Sequence, residues 1–303
     1  MNVGFVGLGS LGSKLAGCIL RAGLPLTVTD LSEAAAASLV ADGARWGGSA
    51  ADVSREADVV ITCLPSPAVS AQVVAGDDGV FGTLRPGATW IEMSTTDKHE
   101  VRRLAALGDE RGIQTLEAPV TGGVHLAATG AVTVIVGGDA VVFDRHRALL
   151  EAMGRRLFHV GPLGSASDLK VVTNMLAFIH LVACGEALAL SAEAGLDLRQ
   201  SWEVIAASSG TSFVHETEGQ LILSGSYDIG FTIDLALKDL GLALSLGEET
   251  GVPLELATLT SRAFEVARER FGGGAQSPRV VQLLEEQIGR ELRAPGFPAQ
   301  LGE

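Results

Sequence analysis

The sequence predicts an α/β chain in two parts: an N-terminal doubly wound parallel sheet, then an all-helical C-terminal domain. Two observations carry this. Over residues 3–160 short apolar runs alternate with helical stretches, the pattern of a parallel sheet covered on both faces. After Gly161-Pro162-Leu163-Gly164 the strand signals stop, and the chain reads as helices nearly to its end. The expected division is therefore 1–163 for the sheet domain and 164–303 for the helical one. With 303 residues and 47% hydrophobic content, the chain can fill two sizeable cores.

Taken in order, residues 3–7 read as a buried strand and 10–21 as the helix it feeds, closed by Gly23. A second strand, 26–30, ends on Asp30, and an Ala-rich helix follows at 32–42 with Ser32 as its expected cap. Strands are expected at 59–64, 89–93 and 115–120, delivering Leu64-Pro65, Ser94-Thr95-Thr96 and Thr121-Gly122-Gly123 to one edge. Each ending alone suits an ordinary turn or cap. Three together describe a lined cleft, because ligands in such sheets collect at the strands' carboxyl ends. Two more strands, 132–136 and 157–160, flank a helix at 140–153.

Beyond the break, helices are expected at 167–194, 198–207, 233–250, 254–271 and 280–288, with an irregular tail over 294–303. Residues 167–194 are apolar on most sides, as for a helix buried between domains or subunits, which suggests a homodimer or homotetramer. A membrane span at 171–190 is disfavoured because Asn174, His180 and Glu186 interrupt it.

The opening Gly7-Leu8-Gly9-Ser10-Leu11-Gly12 has a physical reading of its own. Gly7 permits a tight turn, Gly9 lets a pyrophosphate approach bare backbone, and Gly12 lets helix and strand pack closely. The helix N-terminus adds the positive end of its dipole. Asp30, at the end of the second strand, would accept the adenosine ribose hydroxyls and repel a 2′-phosphate, so NAD is expected over NADP. The unit is Rossmann-like. A nucleotide triphosphatase P-loop does not fit, since Ser13 stands where the lysine must be and Lys14 is one place late.

Composition narrows the partners. A formal charge of −14 argues against nucleic acid and anionic membrane surfaces, which reward excess Lys and Arg. Cys18, Cys63 and Cys184 form no CxxC pair, so no disulfide framework or zinc site is expected and a reducing cytoplasm fits. The N-terminus lacks the basic region of a signal peptide. The six histidines make no metal-binding pair at helical spacing, and no metal is expected.

Further blocks make the pattern specific. Glu117-Ala118-Pro119-Val120-Thr121-Gly122-Gly123 with Ala127 and Gly130, Gly164 with Lys170 and Asn174, and Lys238-Asp239-Leu240-Gly241 follow the glycine loop in order. In these four blocks the chain resembles the β-hydroxyacid dehydrogenases. The resemblance implies Lys170 as catalytic acid and base, with Asn174 presenting its amide one turn later. It implies Thr121, Gly122 and Gly123 around the substrate carboxylate, and Leu64, Pro65, Thr95 and Lys238 bordering the cofactor. It also points to an oligomer.

The chemistry can be argued separately. Hydride transfer is the nicotinamide's work, so the protein must hold the reacting carbon and move one proton at the oxygen. A lysine, ordinarily near pKa ~10.4, becomes a usable base when burial and a positive nicotinamide ring lower that value. A solvated helical lysine is the ordinary alternative at Lys170, a surface ion pair with Asp239 the alternative at Lys238, and a plain loop histidine the alternative to substrate contact at His125. The expected activity is hydride transfer between NAD and a small 3-hydroxy acid or its semialdehyde. The alternatives are an imine reductase-like enzyme, which generally lacks the lysine, and a non-catalytic dinucleotide-sensing protein. Departures from the family pattern at Ala166, Ser167 and Asp168 bear on substrate choice; Thr121 in place of the commoner Ser keeps the hydroxyl.

Overall fold

A computed structural model of the chain describes residues 1–302, so residue 303, the last of the expected tail, lies outside the described residues. The chain divides into two compact units, Met1–Lys170 and Val171–Gly302.

The first unit is built on β1 (Val3–Val6), β2 (Leu26–Thr29), β3 (Arg45–Trp46), β4 (Val59–Thr62), β5 (Thr89–Glu92), β6 (Gln114–Glu117), β7 (Val120–Thr121), β8 (Val132–Gly138) and β9 (Gly154–Gly161). Its helices are α1 (Gly12–Arg21), α2 (Ala37–Ala41), α3 (Ala50–Ser54), α4 (Pro67–Ala75), α5 (Val80–Thr83), α6 (Lys98–Asp109), α7 (Gly123–Ala128) and α8 (Ala140–Met153). Strands β3-β2-β1-β4-β5-β6 are parallel and lie in that order. The order reverses between β1 and β4, the place where open α/β sheets bind ligands outside the strands' carboxyl ends. Alternate strand residues serve the two faces: Phe5, Ile61 and Ile91 feed one core, Val6, Val60 and Trp90 the other.

Three details differ from the sequence reading. The sheet is not parallel throughout, because β8 runs antiparallel to β6 and β7 and only β9 is parallel to it. The β6 to β8 connection holds β7 and the six-residue α7, and it returns β8 antiparallel to β6, not as the parallel neighbour a full helical crossover would give. The strand expected over 115–120 is two strands separated by Ala118-Pro119, since proline has no N–H for the ladder. The helix expected over 32–42 opens as a 3₁₀ turn, Glu33–Ala36, and the Ser32 side chain caps nothing. Its backbone N–H instead donates to Asp30 Oδ1 at 3.3 Å.

The long helix α9 (Ser165–Glu193) runs from the first unit into the second. The second unit adds α10 (Leu198–Ala206), α11 (Phe213–Glu216), α12 (Glu218–Ser224), α13 (Ile233–Thr250), α14 (Glu255–Phe271) and α15 (Gln282–Ile288). Phe178, Leu181 and Leu188 of α9 join Ile222, Leu240 and Phe264 in its core, where Phe178 and Phe264 meet edge to face at 5.6 Å. Helices α11 and α12 are too short for helical periodicity to declare them in the sequence. α9 is long and apolar enough to cross a membrane, with mean hydropathy 1.8 over an 18-residue window of which 39% is buried.

Candidate functional site

The glycine loop follows β1. Gly7 has φ +98°, and a Cβ there would lie 2.3 Å from the Cys63 carbonyl oxygen; at Gly12 it would lie 2.0 Å from that of Gly7. Both positions are closed to side chains by backbone. At Gly9 a Cβ would meet no atom within 4 Å, so the fold does not require glycine there. A methyl group at Gly9 would obstruct only something lying on the loop, which is what a pyrophosphate cradle needs. No side chain caps the first turn of α1. The residues therefore fit a dinucleotide. Asp30 Oδ2 accepts the Leu8 N–H at 2.6 Å, so the acid also fixes the loop it follows.

Next to this loop stand the ends of β4 and β5. The Leu64 N–H donates to Ser94 Oγ at 2.7 Å, which ties the two ends together; Pro65 and Thr95 follow them. Beneath lies Glu92, 1% exposed, whose Oε1 accepts from Thr62 Oγ1 at 3.0 Å and from the Ser94 N–H at 2.8 Å. Burial pushes its carboxyl up, opposed by bonds from Ser94, Ser70 and Thr62. Cys63, at the end of β4, has its thiol pushed up to about 12 by burial and by Glu92, while the Lys170 cation pulls the other way.

Lys170 is 8% exposed, in the second turn of α9. The start of α9 is held by Glu117, wholly buried at the end of β6. Glu117 Oε1 accepts the N–H groups of Gly164 and Ala166 at 2.6 and 2.8 Å; Oε2 accepts the Ser167 N–H at 3.0 Å and the Ser167 hydroxyl. Burial pushes this carboxyl up as well, and those donors oppose it. The departures at 166–168 thus have partners: Ala166 is fully buried, Ser167 serves Glu117, and Asp168 pairs with Lys98 at 3.5 Å.

Thr121 ends β7, and Gly122 and Gly123 follow at φ +126° and +85°, backbone that a side chain would strain. They open α7, which is tied to α1 by the Cys18 thiol donating to the Ala127 carbonyl at 3.2 Å. His125 packs over Gly123, and burial lowers its pKa below the ordinary histidine value.

The second unit gathers Asn174, Lys238 and Asp239. Asp239 is wholly buried; its Oδ2 accepts from Asn174 Nδ2 at 2.6 Å, and its Oδ1 stands 2.7 Å from Lys238 Nζ. The Lys238–Asp239 pair exists, but it is anchored in the interior and not on the surface. Among the described residues, no group of three His, Cys, Asp or Glu side chains could hold a metal ion. Sequence reasoning missed Glu92, and it named Glu117 and Asp239 only as letters of motifs or as a surface ion-pair partner. A signal was available for the two glutamates: an acid within an apolar strand must be neutralised or hydrogen-bonded, hence buried for a reason.

Known proteins fit this geometry. Residues 2–161 match the family described as the NAD binding domain of 6-phosphogluconate dehydrogenase. Residues 164–284 match the NAD-binding domain of NADP-dependent 3-hydroxyisobutyrate dehydrogenase. The chain is 33% identical to a 2-(hydroxymethyl)glutarate dehydrogenase of Eubacterium barkeri, over 95% of this chain and 96% of that one. The chain belongs to the β-hydroxyacid dehydrogenase family. Another relative is an NAD-dependent L-serine dehydrogenase of Pseudomonas aeruginosa, 36% identical over 93% of this chain and 97% of that one. In structure, this β-hydroxyacid dehydrogenase resembles a 3-hydroxyisobutyrate dehydrogenase from Salmonella typhimurium, with TM-score 0.87 and 31% identity over 93% and 99% of the two chains. A Myxococcus stipitatus imine reductase is more distant, at TM-score 0.63 and 19% identity over 94% and 100% of the chains, and shares the fold alone.

Proposed function

We propose that this β-hydroxyacid dehydrogenase transfers a hydride between NAD and a small 3-hydroxy acid or its semialdehyde, with Lys170 as the general acid and base. The supporting observation is a buried lysine in the turn after the residues that Glu117, at the carboxyl end of β6, holds, together with a glycine loop at whose open position, Gly9, a Cβ would meet no atom within 4 Å. Gly7, Leu8, Gly9, Ser10, Leu11 and Gly12 would hold the pyrophosphate, Asp30 the ribose, and Leu64, Pro65, Thr95 and Lys238 would border the cofactor. NAD, when bound, supplies the hydride acceptor in one direction and, reduced, the donor in the other.

The chain's own residues do the rest. Thr121, Gly122 and Gly123 orient the substrate carboxylate with a hydroxyl and backbone N–H groups. Lys170 takes the hydroxyl proton on its amine during oxidation and returns it from the ammonium during reduction. Asn174, one turn further along α9, presents its amide to the same substrate, with its rotamer set by Asp239. The Asp30 carboxylate disfavours a 2′-phosphate, which supports NAD over NADP.

The same reading places the division at 1–163 and 164–303, the protein in the cytoplasm, and two or four copies in the assembly. Its cysteines are free, which suits a reducing compartment. Along α9, Leu169, Val172, Leu176 and Leu190 are 40%, 41%, 48% and 73% exposed, a stripe at coiled-coil spacing that a second copy would cover. A panel of 3-hydroxy acids and aldehydes assayed separately with NAD and NADP tests the activity. Turnover with at least one 3-hydroxy acid and NAD is expected, and no turnover with any would reject it.

A further inference from the structure

We propose that Glu117 is a positioning residue for Lys170, setting the start of the lysine helix against the loop that follows β6. The inference rests on the Lys170 reading above. Among the described residues, the Glu117 carboxylate accepts from Gly164, Ala166 and Ser167, just before and within the first turn of α9, and Lys170 lies three residues beyond Ser167. Three of the four donors are backbone N–H groups, which cannot accept a proton, so the arrangement fits a carboxylate with both oxygens engaged. Negative charge is also favoured at a helix N-terminus.

The surroundings are shaped to this side chain. Gly137 lies opposite Glu117 in the β6–β8 register, and a Cβ there would come within 2.2 Å of Glu117 Oε1. A local Ser or Asp would be enough to cap a helix. This cap comes instead from a strand that continues, through Ala118-Pro119-Val120, into Thr121-Gly122-Gly123. One buried carboxylate therefore joins the turn before Lys170 to the segment assigned to the substrate carboxylate. Proton transfer is sensitive to that spacing, because a displacement of about 1 Å can cost on the order of a hundredfold in rate.

The test compares Glu117→Gln, Ser167→Ala and Lys170→Met with the wild type, each as the whole chain, by kcat, by NAD dissociation constant and by melting temperature. Glu117→Gln should lower kcat roughly 10- to 100-fold. Its NAD dissociation constant should stay within about twofold, since the glycine loop is built on β1 and α1. Ser167→Ala, which keeps the backbone bonds, should lower kcat about threefold, and it carries the test if Glu117→Gln does not fold. Wild-type kcat in Ser167→Ala, or in a folded Glu117→Gln that differs only in melting temperature, overturns the proposal. Should Lys170→Met turn over normally, the Lys170 reading and this inference fall together. If Lys170→Met is inactive while the other two keep full kcat, only this inference falls.

Discussion

The glycine loop after β1 keeps its shape through side chains it lacks. Gly7 and Gly12 each stand where a Cβ would strike a carbonyl oxygen, and Gly9 leaves open space. The start of the lysine helix, in the same unit, is held the opposite way, by a buried side chain that supplies acceptors to it. The second unit repeats that device at Asp239, which engages Asn174 and Lys238. Sites held by backbone fail when a group is added. Those held by buried carboxylates fail when one is removed, and the failure spreads to every partner.

That contrast can be broken in order of expected effect. Removing the carboxylate in Asp239→Ala leaves the Lys238 ammonium and the Asn174 amide without their buried acceptor, and should cost about 3–5 kcal/mol in denaturant unfolding. A loss below about 1 kcal/mol would mean that Asp239 is not the organising group. Adding a methyl in Gly12→Ala forces backbone apart and should cost about 3 kcal/mol of stability. Gly9→Ala sharpens the comparison. Stability should stay within about 0.5 kcal/mol while NAD affinity falls about tenfold, a loss of about 1.4 kcal/mol in binding. Unchanged NAD titration in Gly9→Ala would remove the pyrophosphate from this loop.

Asp30→Ala tests a carboxylate that anchors the loop and that we propose also accepts the ribose hydroxyls. The ratio of kcat/KM for NAD over NADP should narrow about tenfold, and an unchanged ratio would take Asp30 away from the ribose. Smallest of all is Asp168→Asn, because its pair with Lys98 is partly exposed. Stability should change by about 1 kcal/mol or less, with substrate preference unaltered. Altered preference would restore this departure from the family pattern to the substrate.

Much of this was legible in the sequence because the features are local. Glycine spacing, the strand that precedes it, Asp30 at the end of β2, and the apolar lengths of α9, α13 and α14 each declare themselves within a window of residues. What stayed hidden depends on pairing at a distance. Nothing near Val132–Gly138 says that β8 runs antiparallel to β6, and Arg45–Trp46 is too short to read as a strand. Glu117 reads as one letter of a motif until its donors are seen on residues 164–167. Asp239 likewise reads as Lys238's neighbour until Asn174 arrives from another helix.

The central claim is that Lys170 handles the substrate proton while other residues hold the dinucleotide. The most direct measurement is a stopped-flow reaction of Lys170→Met at saturating NAD and an active hydroxy acid, read at the reduced-nicotinamide absorbance band, beside a titration of NAD binding. The account predicts dinucleotide affinity within about twofold of wild type and hydride transfer slowed by a factor on the order of 1,000 or more. Hydride transfer at the wild-type rate would contradict it.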